Sequence, residues 1–217
     1  TQMDQQVQKD LVEKITHRYP DDRIFAEEDG LRSPISEGSV WVIDPIDGTN
    51  NFVTQKEDFA VMVAYFEDGI GQFGLIYDVM RDHLFYGGGE FPVYRNEVEL
   101  TPFVDQPLEN FLIASNVGML EKNDWGMADL GMDSLGIRVY GSAGISFSKI
   151  LSGGILAYFS YIWPWDYAAA AIMGERLGYT VLNLNGDQPN YQTVEPIMMV
   201  PKMKLAEIQT YLKKGRS

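Results

Sequence analysis

Two aspartates, Asp44 and Asp47, bracket Pro45 and Ile46 and run straight into Gly48, Thr49 and Asn50. The run ahead of them, Val40-Trp41-Val42-Ile43, is apolar and β-branched, which predicts a buried strand and puts the acids at its end. Pro45 stiffens the link, so both carboxylates can aim at one place. Glu27 and Glu28 close another short apolar run, and Asp166 opens an alanine-rich helical stretch. Carboxylates brought together repel, and some protonate unless a cation neutralises them. Oxygen ligands without cysteine, with histidine confined to His17 and His83, point to Mg²⁺ rather than zinc. Gly48 lets the backbone approach a ligand, and the amides of Gly48 and Thr49 would receive phosphate oxygens if a helix begins there. Metal ions beside backbone donors make a phosphoryl-transfer site.

Each signal has a plainer explanation. Asp-Gly after a strand is ordinary turn chemistry, and Asp166 ahead of alanines is a good N-cap. Glu27 and Glu28 fit a solvated loop, and the aromatic run YFSYIWPWDY at 158–167 reads as core. The chain lacks the Gly-x-x-x-x-Gly-Lys-Ser/Thr run of a P-loop. Phosphatases with an aspartyl nucleophile keep one residue between their aspartates; here Pro45 and Ile46 both intervene.

The elements that must carry these residues are readable. Val7, Leu11 and Ile15 recur at helical spacing over 4–19, and Pro20-Asp21-Asp22 stops that helix. RIFAEEDG at 23–30 reads as a short strand running into Glu27 and Glu28. Between 59 and 100 the runs FAVMVAYF, GQFGLIYDV, HLFYGGG and FPVYRNEVEL predict an antiparallel meander. Beyond Pro107, FLIAS and RVYGS read as strands, the second leading into the helix AGISFSKILSG. ILAYFSYI is a strand, a helix follows from Asp166, TVLNL and IMMVP are strands, and KLAEIQTYLKK is a closing amphipathic helix. The pattern predicts an α+β half, residues 1–105, packed beside an α/β half, residues 106–217.

At 217 residues and 45% hydrophobic composition the chain can bury a sizeable core. It has no apolar run of bilayer length and no leader pattern, so no membrane partner is expected. Its lack of cysteine excludes disulfides and thiolate metal sites and fits a cytoplasmic location. A net charge of −14 argues against nucleic acid as partner. For an anionic substrate that charge is a handicap, which bound cations would offset.

Taken together, WVIDPIDGTNNF at 41–52 and WDYAAAAIMGERLG at 165–178 resemble the two signatures of the inositol monophosphatase family. The EED run at 27–29 matches the acidic pair ahead of the first signature, and Thr1-Gln2-Met3-Asp4 resembles the Thr-x-x-Asp that opens an early helix. The resemblance implies a five-layer αβαβα sandwich and a Mg²⁺-dependent, lithium-sensitive phosphomonoesterase that is also inhibited by Ca²⁺. Glu27, Asp44 and the Ile46 carbonyl would hold one Mg²⁺; Asp44, Asp47 and Asp166 would hold a second; a third ion belongs to some members' sites. Glu27 and Thr49 would orient and deprotonate the attacking water, with Asp47 also counted as catalytic. Gly48 and Thr49 would bind phosphate, Gly141, Ser142 and Ala143 would contact substrate, and Glu28 and Asp4 would support from behind. The implied partner is a small phosphorylated metabolite and the implied assembly a homodimer.

The departures shape the expectation. Family members usually carry one or two helices before Thr-x-x-Asp, so the chain reads as truncated there. Ala170 and Tyr179 stand where the second signature usually has glycine. The glutamate with which inositol-selective members contact ring hydroxyls has no counterpart between Ser152 and Asp166. A fructose-1,6-bisphosphatase or NADP phosphatase of the same family is therefore an alternative, and a non-catalytic metal-binding relative is the rival from another class.

Overall fold

The computed structural model describes residues 1–214; residues 215–217, the end of the second expected half, lie outside them. Helix α1 (Gln2–Arg18) leads into β1 (Arg23–Ala26) and β2 (Ser39–Asp47), and one short turn of helix, α2 (Thr49–Thr54), follows β2. Strands β3 (Ala60–Glu67), β4 (Ile70–Asp78), β5 (His83–Gly88), β6 (Phe91–Arg95) and β7 (Val98–Glu99) complete a seven-stranded sheet in sequence order. Only β1 and β2 are parallel; the rest is the antiparallel meander that the alternation predicts. FPVYRNEVEL, read as one strand, is two, because Asn96 takes a left-handed conformation and folds β7 back on β6.

The second sheet comprises β8 (Leu112–Ser115), β9 (Gly136–Arg138), β10 (Ala157–Ile162), β11 (Tyr179–Asn183) and β12 (Glu195–Pro201), ordered β11-β12-β10-β8-β9. Between β8 and β9 run two short helices, α3 (Val117–Glu121) and α4 (Met127–Asp133). Helices α5 (Ala143–Leu151) and α6 (Pro164–Arg176) flank β10, and α7 (Leu205–Lys214) ends the fold. RVYGS is not a strand: only Arg138 belongs to β9, and the remainder is a loop held by Asn51 of α2 and Asp47 of β2.

The layers follow from which faces are apolar. Leu11, Val12 and Ile15 of α1 cover Ile24, Ala26 and Ile43 on one face of the first sheet. Its other face, with Val42, Met62 and Ile76, packs on α5 and α6, which in turn cover Tyr158, Ile197 and Met199 of the second sheet. The far face of the second sheet meets α3, α4 and α7 through Met119, Leu130, Ile208 and Leu212. The result is the five-layer αβαβα sandwich. Helix α6 is squeezed between the sheets, which accounts for its run of alanines: a Cβ on Gly74 of β4 would lie 2.3 Å from the Ala169 carbonyl oxygen. Among the described residues no helix is long and apolar enough to cross a membrane.

Candidate active site

Strand β2 delivers two of the acids. Along a regular strand, side chains three positions apart face opposite sides of the sheet. The pairing slips between them: Asp44 stands opposite Met62 and Asp47 opposite Ala60, so β2 uses one residue more than β3. This bulge at Pro45 and Ile46 turns both carboxylates to the same side. Gly48 then takes φ +86°, and a Cβ there would lie 2.9 Å from the Ser142 Cβ, so only glycine fits. Helix α2 starts directly afterwards, leaving its leading amides without intrahelical acceptors.

Asp166 arrives from the other side of the central layer. It occupies the third position of α6 rather than the N-cap, which is Trp163. Its carboxylate reaches back to accept the Trp163 amide at 2.7 Å, so it caps the helix from within. Carboxylate oxygens of Asp44, Asp47 and Asp166 all lie within 4.8 Å of one another. Glu27, just past β1, adds a fourth carboxyl beside Asp44.

The head of α5 is built onto Asp47. The Ala143 and Gly144 amides donate to its two oxygens at 3.1 and 2.7 Å, and the Ser142 hydroxyl donates to it as well. Ser142 also accepts the Ile145 amide at 3.1 Å as N-cap. The Asn51 amide, buried in α2, donates to the carbonyls of Tyr140 and Asp58 at 2.7 and 2.9 Å and so fixes the loop through Gly141. The Thr49 hydroxyl lies 3.1 Å from both Asp4 Oδ1 and the Ile46 carbonyl oxygen.

Buried acids this close hold one another's protons. Burial, then the charge of Asp47, lifts Asp44 well above the usual carboxylate range. Burial first, then Asp47, pushes Asp166 up to about 8. Burial first, then Glu28 and Asp4, pushes Glu27 up to about 7. Asp47 is raised by burial against the pull of its three donors. The Thr1 and Thr49 hydroxyls both donate to the buried Asp4 carboxylate. Asp44 Oδ1 is fully buried with no hydrogen-bond partner. An orphaned carboxylate oxygen among three further acids, in a cluster of oxygen ligands without thiolate or imidazole, fits a hard divalent cation.

The residues singled out from sequence thus meet in one place. Glu27, Asp44, Asp47 and Asp166 converge, with Ile46, Gly48 and Thr49 at the turn and Gly141, Ser142 and Ala143 against it. Glu28 sits one step behind, its backbone N–H and carbonyl both paired at 2.9 Å with the side-chain amide of Gln8. Sequence reasoning passed over Gln8, Asn51 and Gly144. Gln8 lies one helical turn from Asp4 on the same face of α1, which was a usable signal; the Asn51 side chain donates to the distant Tyr140 carbonyl and the Gly144 amide to the distant Asp47 carboxylate, and these offered none.

The profile of the Inositol monophosphatase family matches residues 1–214. The Inositol-1-monophosphatase of Bacillus subtilis is 36% identical over 193 residues, spanning 86% of this chain and 73% of the relative. SaIMPase-II of Staphylococcus aureus, solved with inositol monophosphate bound, superposes with TM-score 0.90 at 30% identity, covering 97% of this chain and 84% of the other. Its 2′AMP-bound form gives the same TM-score and identity over 97% and 83%. A bulged strand and a mid-layer helix that join their acids, in a chain matched almost from end to end, place it in the inositol monophosphatase family.

Proposed function

We propose that this chain hydrolyses small soluble phosphate monoesters, with Mg²⁺ held by Glu27, Asp44, Asp47, Asp166 and the Ile46 carbonyl. The observation that carries the reading is the meeting of three carboxylates within 4.8 Å, one of which has a buried oxygen without a donor. Bound Mg²⁺ would supply Lewis acidity, neutralising phosphate charge and making a water nucleophilic near neutral pH. The chain's own residues do the rest. The free amides of Gly48 and Thr49 at the head of α2 receive the phosphate oxygens. Asp4 accepts the Thr49 proton, so the Thr49 oxygen keeps its lone pairs for an incoming water. Glu27, as the ionised carboxylate that a bound cation favours, is placed to take a proton from that water.

Leaving-group selection looks loose. Phe159 faces the core, and Ser160 is engaged by the Asn116 amide at 3.1 Å. The exposed side chains that β10 and the α6 cap offer are Tyr161 and Trp163. No carboxylate from this stretch selects ring hydroxyls, and strong discrimination needs such a buried polar partner. Steady-state kinetics with inositol 1-phosphate, fructose 1,6-bisphosphate, NADP and glycerol phosphate test the reading. Efficiencies within about two decades are expected, about 3 kcal/mol. A preference above a thousandfold for inositol 1-phosphate overturns the tolerance, and phosphate release that survives exhaustive chelation overturns the metal chemistry.

A further inference from the structure

Glu27 sits on an irregular part of the backbone. After β1 the chain turns through Asp29 and Gly30, both left-handed at φ 58° and 65°, and comes back antiparallel so that Arg32 bridges Phe25. The return is pinned by the Ala26 amide on the Leu31 carbonyl at 3.0 Å and the Ser33 amide on the Ile24 carbonyl at 3.3 Å. On the α1 side Gln8 clasps the next residue, Glu28. On the α6 side the restraint is Arg32. Its Nη2 donates to the Glu27 carbonyl at 3.2 Å, and its Nη1 donates to the Leu31 carbonyl at 3.0 Å and to the Ala26 carbonyl.

The same guanidinium lies over the ring of Trp165, 4.6 Å from its centroid. Trp165 is buried, immediately precedes Asp166, and is fixed by Trp163 stacked in parallel at 4.8 Å and the edge of Phe25 at 5.6 Å. One planar cation therefore grips the backbone that presents Glu27 and the side chain beside Asp166. We infer that Arg32 is a positioning residue that holds Glu27 in register with Asp166 across the opening of the acidic cluster.

Bare carboxylates repel, so a turn carrying one of them swings outward unless tied. The Arg32 side chain is exposed, so its charge is screened and its contribution is geometric: a rigid fork for carbonyls and a flat face for an indole. Lysine keeps the charge and has neither feature.

The inference rests on the metal-site reading above, and Mn²⁺ serves as a probe that needs no turnover. The metal-stripped chain and its Arg32→Lys and Arg32→Gln variants are titrated with Mn²⁺ by electron paramagnetic resonance, alongside phosphate release at fixed Mg²⁺. Loss of a residue that orients ligands weakens metal binding or activity 10–100-fold in other proteins, so both variants should bind Mn²⁺ about tenfold more weakly. Their kcat should fall in step while KM for the phosphate ester holds. Trp165→Phe, which narrows the plate and keeps the core filled, should move Mn²⁺ affinity the same way. Mn²⁺ affinity and kcat within about twofold of wild type in Arg32→Lys, with circular dichroism unchanged, overturn the role. So does a change confined to KM, which makes Arg32 a substrate contact. Should the wild-type chain release no phosphate while Arg32→Lys still weakens Mn²⁺, the hydrolytic reading falls and the positioning role stands.

Discussion

Asp44 combines demands that rarely coexist in one side chain: it is 1% exposed, it neighbours three other acids, and one of its oxygens has no donor. Such a group is costly to ionise in the bare protein and useful only with a cation beside it. Asp44→Asn keeps the size and removes the charge. It should lower kcat at least a hundredfold, more than about 2.7 kcal/mol of barrier, while raising the melting temperature of the metal-free protein at pH 8. Kinetics and calorimetry on one preparation check both, and more than a tenth of wild-type kcat would remove Asp44 from the ligand set. Asp166→Asn should lose activity likewise yet keep its helix end, because the asparagine oxygen can still accept the Trp163 amide. The acids were legible because type, spacing and the Gly-Thr turn all pointed one way. Asn51 and Arg32 were not, since each is an ordinary polar residue until the fold brings backbone carbonyls to it.

Among the elements, α6 decides where Asp166 ends up, and its height above β4 is set by Gly74. Adding a methyl there drives it into the Ala169 backbone, which no rotamer relieves. Gly74→Ala should therefore destabilise by about 2 kcal/mol or more, read from urea denaturation, and reduce kcat by shifting Asp166. Wild-type stability in that variant would mean the helix has slack that its alanine run does not suggest. The long strands and helices were legible from periodicity. The stretch 116–135 was not: α3 and α4 are too short to display a helical repeat, and they are set by the Asn116 cap, which accepts the Met119 amide at 2.9 Å, and by left-handed Gly126. The bulge in β2 was half legible. Pro45 reads as a stiff link that aims both acids at one place, but only the pairing with β3 reveals the extra residue that aligns them.

For the molecule as a whole, the acidic cluster ties stability to pH. Glu27 and Asp166 rise from 4.5 and 3.8 to about 7 and about 8 on folding. The folded chain thus holds protons that the unfolded chain has released; the stability they contribute is complete below about pH 4 and is lost as pH climbs through 7 and 8. The metal-free melting temperature should fall between pH 5.5 and 8.5, and millimolar Mg²⁺ should raise it more at 8.5 than at 5.5. A melting temperature indifferent to both would remove the cluster's ionic character. The net charge of −14 works in the same direction.

The bulged strand and the mid-layer helix also have a consequence in time. During synthesis, Asp44 and Asp47 leave the ribosome on the order of ten seconds before Asp166, at ordinary elongation rates. Until α6 arrives, the early acids are solvated and ionised. Docking that helix brings the last carboxylate into a dry place already holding the others, so completing the fold and taking up protons or cations become a single event. In a cation-poor, alkaline medium that docking step should therefore be slower, which refolding rates at pH 8.5 with and without Mg²⁺ would check.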